Sequence, residues 1–158
     1  MIILEPIRKS LWVDTSPARA FEVFSARMSS WWPPTHSILK SPLKQCIVEP
    51  WVGGRWYSTG EDGSSCDIGR VLVWQPPERL VLSWQITPDW AIDPDLVTEV
   101  DVRFTAADGG TQIDLEHRHL ERMGAKAAVA RAAVDAPNGW AAILGSFKKA
   151  AEHAGEGT

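Results

Sequence analysis

The chain has 158 residues, enough for one domain that buries about 70% of its unfolded surface without disulfides or metals as staples. Its net charge of −4, with no basic run longer than Lys148-Lys149, excludes a nucleic-acid binder that works through a basic patch. No apolar stretch approaches the ~20 residues of a membrane span, and the start "MIILEPIRKS" lacks the charge-then-apolar order of a signal peptide.

Ile7, Leu11 and Val13 share one face of a loosely alternating segment, which predicts a first strand over 7–13. "DTSPARAFEVF" then reads as a helix start, with Ser16 as N-cap and Pro17 at the first helical position. "SARMSSWW" predicts a second short helix, stopped by Pro33-Pro34 because proline lacks an N–H and restricts its predecessor. Adjacent helical residues point about 100° apart. We therefore expect Trp32 to pack inward, Trp31 to be more exposed, and His36 to lie in a solvated loop.

From Cys46 to Leu120 the chain reads as six strands separated by turn residues. Gly53-Gly54, "EDGSS", "QPPE" and "DGG" mark hairpins, and only "TPDWAIDPDL" is longer. The glycine pairs are not followed by helices, so no phosphate loop or dinucleotide fingerprint is present. Alternation in "TQIDLEHRHL" puts Ile113, Leu115, His117 and His119 on the inward face.

"GAKAAVARAAV" is helical, Pro137 interrupts it, and Asn138 is a candidate cap for the next helix. Trp140, Ile143, Leu144, Phe147 and Ala151 then form one apolar stripe. One domain is expected over 1–153, with a disordered tail over 154–158. Cys46 and Cys66 form no CxxC and read as free thiols of a reducing cytosol, so the expected location is cytoplasmic.

A curved sheet and a long amphipathic helix must bury their apolar faces against each other. The order strand, two short helices, six strands, long helix predicts an α+β helix-grip fold. Its curved seven-stranded antiparallel sheet wraps the C-terminal helix. In a meander alternate connections share an end. The loops at Glu61–Ser65, at Trp90 and after His119 should therefore gather at one end. The start of the long helix and the chain after Pro34 join them, and this end is the expected cavity mouth.

"FEVFSARMSSWWP", "VEPWVGGRWY", "GRVLVWQPPERLVLSWQI", "TEVDVRFT" and "GGTQIDLEHR" resemble the START-like (SRPBCC) superfamily. Within it they are similar to the group named after the C-terminal domain of the activator of heat-shock protein 90 ATPase. The resemblance covers about Pro6 to Ala151, and departs from the group at Trp51 and His119. It implies a cavity between sheet and long helix for an apolar or amphipathic small molecule. It does not imply a chaperone role, because the activator carries a further domain before this one and here the first strand begins almost at Met1.

Nine tryptophans are the outlier of the composition, and each aromatic side chain buries roughly 150–250 Å². Trp32, Trp56, Trp84 and Trp140, with Phe104, His117 and Leu144, are the candidate ligand contacts. Three functions compete. The first is binding of a small apolar or aromatic ligand without catalysis. The second is a cavity enzyme (cyclase, dehydratase or hydrolase type) with His117 as acid or base. The third is a protein-interaction module, chaperone-associated or otherwise, anchored by exposed Trp51 and Trp90. His117-x-His119 is a candidate metal pair that needs a third ligand, for which His36, Cys66 or an acid are the candidates, but nothing in the spacing selects one, so neither metal nor cofactor is expected. A monomer or a weak dimer through an edge strand is expected.

Overall fold

A computed structural model describes residues 4–156, with side chains through His153. Strand β1 runs Ile7–Val13, as its alternation predicts. Ser16 then caps helix α1 (Pro17–Ser25), its Oγ accepting the Arg19 N–H at 3.2 Å, and Pro17 opens the helix. Ala20, Phe21, Val23 and Phe24 form the buried stripe of α1.

The second short helix is reduced to single 3-10 turns at Met28–Ser30 and Pro34–His36. Trp31 has already left helical geometry, with φ −134°, and Pro33 is extended. The expectation for Trp31 therefore fails: Trp31 and Trp32 are 3% and 4% exposed. The 100° rule presumes a helix that has ended by then.

The remaining strands are β2 (Leu43–Val48), β3 (Arg55–Gly60), β4 (Ser65–Gln75), β5 (Arg79–Trp84), β6 (Thr98–Ala107) and β7 (Gly110–Arg118). They form one antiparallel sheet in the order β1-β7-β6-β5-β4-β3-β2. Ile7 pairs with His117 and Val13 with Thr111, so the first strand closes against the last. Register shifts at Leu43/Gln45, Trp56/Tyr57 and Val71/Val73 sit in the β2–β5 half, where bulges increase twist and curl the sheet. Gly69 lies at the second of them, where a Cβ would run into the Ser83 carbonyl, so only glycine lets β4 bend onto β5 there.

The concave face closes on helix α3 (Trp140–Glu156). Trp140, Ile143, Leu144, Phe147 and Ala151 are all buried, and each large side chain contributes about 1.5–3 kcal/mol by its burial. Ahead of α3, the alanine-rich segment breaks at Gly124 (φ 84°, ψ −145°) before helix α2 (Ala127–Asp135). Pro137 interrupts the helix as expected. The first bond of α3 runs from the Ile143 N–H to the Gly139 carbonyl, which places the cap at Gly139 rather than Asn138. The tail expected over 154–158 lies outside the fully described residues.

Both sheet edges meet side chains. On β2, Ser29 Oγ donates to the Cys46 carbonyl and accepts the Cys46 N–H, both at 2.9 Å. On β1, Lys148 donates to the Trp12 carbonyl at 2.7 Å. Asp101 is buried on the convex face and accepts from Arg79 (3.1 and 2.8 Å) and Arg118 (2.9 Å). Burial pushes its carboxyl upward, but the bonds from Arg79 and Arg118 together outweigh this and hold it below its ordinary value. Among the described residues no helix is long and apolar enough to cross a membrane.

Candidate functional site

The concave face carries a wall of aromatic rings. Trp32 meets Trp56 edge-on with centroids 5.7 Å apart, and Trp140 at 6.4 Å. Trp84 lies 5.8 Å from both Trp56 and Trp140, and 5.5 Å from His117. These separations and tilted planes are those aromatic pairs prefer. Five of the seven candidate contacts thus touch one another. Phe104 belongs to a neighbouring group with Phe21 and Phe24, and Leu144 is buried on the α3 stripe. Trp31 joins that neighbouring group through Phe24 and Phe147, its indole N–H donating to the Val23 carbonyl.

His117 faces inward, as strand alternation requires, and is fully buried. The Trp140 indole N–H donates to its Nδ1 at 3.1 Å. An indole only donates, so Nδ1 is the acceptor and the neutral ring carries its proton on Nε2. That N–H donates to Thr98 Oγ1 at 2.9 Å, and the Thr98 hydroxyl donates to the Trp84 carbonyl at 2.9 Å. Burial pushes the His117 pKa down to about 3. Both nitrogens are occupied, so the ring fastens β7 to α3 and β6 and has no lone pair free for a ligand. His119 departs from the expected face. The strand ends at Arg118 and His119 is left-handed (φ 66°), so the two imidazoles do not form an i, i+2 pair. Among the described residues, no three His, Cys, Asp or Glu side chains gather where they could hold a metal ion.

A cavity of about 830 Å³ opens beside this wall. Trp84 and Ile86 line it from the end of β5, and Trp140 and Ile143 from the start of α3. Ala133 and Val134 of α2 close one side, and the chain from Thr35 to Ile38 another. Trp90, 52% exposed and left-handed (φ 60°) at the tip of the β5–β6 connection, completes it. Among the described residues, His36 apart, no ionisable side chain lines it. The cavity lies where strand parity places the mouth, but two of the expected loops do not line it. The segment directly after His119 (120–126) supplies no lining residue, although Lys126 reaches Asp89 beside Trp90. The Glu61–Ser65 turn contributes no wall; it bonds instead to Ser41 and Pro42.

Of the candidate contacts, Trp84 and Trp140 reach this cavity, while Trp32, Trp56, Phe104, His117 and Leu144 do not line it. Residues not singled out as contacts, Ile86, His36, Ala133 and Ala136, do. His36 is half-buried rather than solvated: its Nε2 lies 2.6 Å from the Asn138 carbonyl, across from the other side of the opening. A second hollow of about 600 Å³ lies between α1 and the β4–β5 turn, lined by Phe21, Trp74, Pro76 and Pro77.

The family model described as "Activator of Hsp90 ATPase homolog 1-like protein" matches residues 14–152. No curated protein matches the chain. Among solved structures, the chain is 36% identical to the anthrahydroquino-Gama-pyrone synthase Txn09, covering 94% of this chain and 97% of that one, with a TM-score of 0.66. It is 30% identical to CalC, a self-sacrificing resistance protein from Micromonospora echinospora, over 97% of each chain, with a TM-score of 0.71. The Aha1 dimer from Colwellia psychrerythraea shares the fold at 16% identity, with 94% and 97% coverage and a TM-score of 0.60. With its curled seven-stranded sheet closed on a long C-terminal helix, the chain belongs to the family of Activator of Hsp90 ATPase homolog 1-like proteins, of the START-like (SRPBCC) helix-grip type.

Proposed function

We propose that this protein binds a planar aromatic molecule in the cavity between the β5 end, α2 and the start of α3. The cavity's composition carries the proposal. Its volume of about 830 Å³ falls in the range of drug-sized ligand sites, and three tryptophans line it. Among the described residues no carboxylate, ammonium or guanidinium reaches it, so charge carried away from His36, its one ionisable lining group, would lose hydration without finding a partner. The resemblance to a synthase named for a fused aromatic product supports the same ligand class.

Binding is tested by titrating the protein with anthraquinone and following tryptophan quenching. Saturable quenching that weakens in Trp90→Ala is the expected result; linear, non-saturating quenching alike in both proteins would refute the proposal.

A second reading rests on a different observation. Trp51 and Val52 are 54% and 65% exposed at the β2–β3 connection, away from the cavity lining. An exposed tryptophan of this kind is a common anchor for a protein partner. Stoichiometric capture of a partner by the wild type, lost in Trp51→Ala, would favour that role.

A further inference from the structure

The cavity wall carries one linked series of polar atoms, drawn from segments 102 residues apart. Thr35 Oγ1 lies 3.0 Å from His36 Nδ1, and His36 Nε2 lies 2.6 Å from the Asn138 carbonyl oxygen. A carbonyl only accepts, so Nε2 carries a proton. In the neutral ring Nδ1 is then the acceptor, and the Thr35 hydroxyl donates to it. Thr35, His36 and Asn138 all line the cavity.

A hydroxyl in reach of a base, with the base held in one tautomer by a third group, is the arrangement that supports proton transfer. The series is also well anchored. The His36 N–H donates to the Pro33 carbonyl at 3.0 Å, and the His36 carbonyl accepts the Trp32 indole N–H at 3.1 Å. Nearby charges are engaged elsewhere. Asp89, on the Trp90 connection, pairs with Lys126 at 2.8 Å, and Asp135, ending α2, pairs with Lys9 at 2.8 Å. Asp93 Oδ1 accepts the Asp95 N–H, and Arg131 of α2 donates to the Glu5 carbonyl. Residues 136–139 and 33–35 bring no charge. His117, with both nitrogens occupied in the core, offers no competing base.

Resting on the aromatic-ligand reading of this cavity, we propose that the Thr35–His36–Asn138 series accepts a proton from a phenolic hydroxyl, so that the ligands are hydroxylated aromatic ring systems held as phenolates. The ligand O–H bond breaks and its proton passes to Thr35 Oγ1 while the Thr35 proton moves to His36 Nδ1. A phenolate and an imidazolium result, and no electrons change hands. The Nε2–H keeps its bond to the Asn138 carbonyl, which becomes charge-assisted and therefore stronger. The Thr35 hydroxyl is left donating to the phenolate.

Two dyes test this. Alizarin is a hydroxyanthraquinone whose visible spectrum changes when its phenol ionises; anthraquinone has the same ring system and no hydroxyl. With the wild type at saturation, the ionisation midpoint of bound alizarin is expected about one pH unit or more below that of the free dye. His36→Gln and Thr35→Val should each return it to the free value. Both positions lie outside the buried core, and circular dichroism with anthraquinone binding checks that the variants fold. If anthraquinone binds but the alizarin midpoint does not move, or either substitution leaves the shift in place, the relay is overturned while the cavity remains an aromatic site. If neither dye binds the wild type, the aromatic-ligand reading falls and the relay falls with it.

Discussion

Replacing His117 with glutamine imposes two costs that pH separates. The ring stays neutral in the fold down to about pH 3, because burial opposes its charge, whereas an ordinary histidine titrates near 6.5. Between those values the unfolded chain binds more protons than the folded one. Stability from His117 is therefore fully present above pH 6.5 and is lost as pH falls toward 3. The whole span corresponds to roughly 5 kcal/mol, and at pH 5 about 2 kcal/mol of it is already gone. Glutamine does not titrate. It reaches only one of the two partners, Trp140 or Thr98, so it leaves a buried group unsatisfied at a cost of about 1–3 kcal/mol at every pH. Urea unfolding followed by tryptophan fluorescence at pH 7.5 and pH 5 measures both. The variant should be less stable at pH 7.5, and its deficit should shrink by about 2 kcal/mol at pH 5. A deficit equal at the two pH values would mean that His117 titrates alike folded and unfolded, and the sealed, singly protonated ring would be refuted.

Asp101→Asn removes the charge that Arg79 and Arg118 share, and should lower stability by about 2–3 kcal/mol, read from the urea midpoint. Gly139→Ala should cost about 1–3 kcal/mol in thermal unfolding, because a Cβ there meets the Val134 carbonyl and pries α2 from α3. Trp90→Ala should weaken anthraquinone binding about tenfold, or ~1.4 kcal/mol, and shift the melting temperature little, since half its surface is already in water. Phe104→Ala should do the reverse, costing about 3–5 kcal/mol of stability while a folded sample binds the dye normally.

The architecture is legible in the sequence because each of its signals is local. Alternation and turn residues define β1 and the six later strands, and Gly53-Gly54 and Asp108-Gly109-Gly110 lie at the turns they predict. The stripe from Trp140 to Ala151 identifies the closing helix for the same reason. The expectations that fail depend on where a regular element stops. Helical geometry assigns Trp31 outward, but the helix is gone by Ser30 and both indoles turn inward. Strand geometry assigns His119 inward, but the strand ends one residue earlier. The inward face of His117 follows from its period, whereas its bonds to Trp140 and Thr98 join residues 23 and 19 positions away and leave no periodic trace. The site shows the same division. Strand parity locates the open end, but Ala133, Ala136 and a histidine after two prolines carry no pattern that marks them as a wall.

The most direct measurement tracks the indole N–H resonances of the nine tryptophans, assigned by single substitutions, as anthraquinone is added. Binding in the proposed cavity should shift Trp84, Trp90 and Trp140 in a saturable manner and leave Trp12, Trp51 and Trp74 unchanged. Shifts confined to Trp74, which lines the hollow beside α1, or no shifts at saturating ligand, would contradict the account.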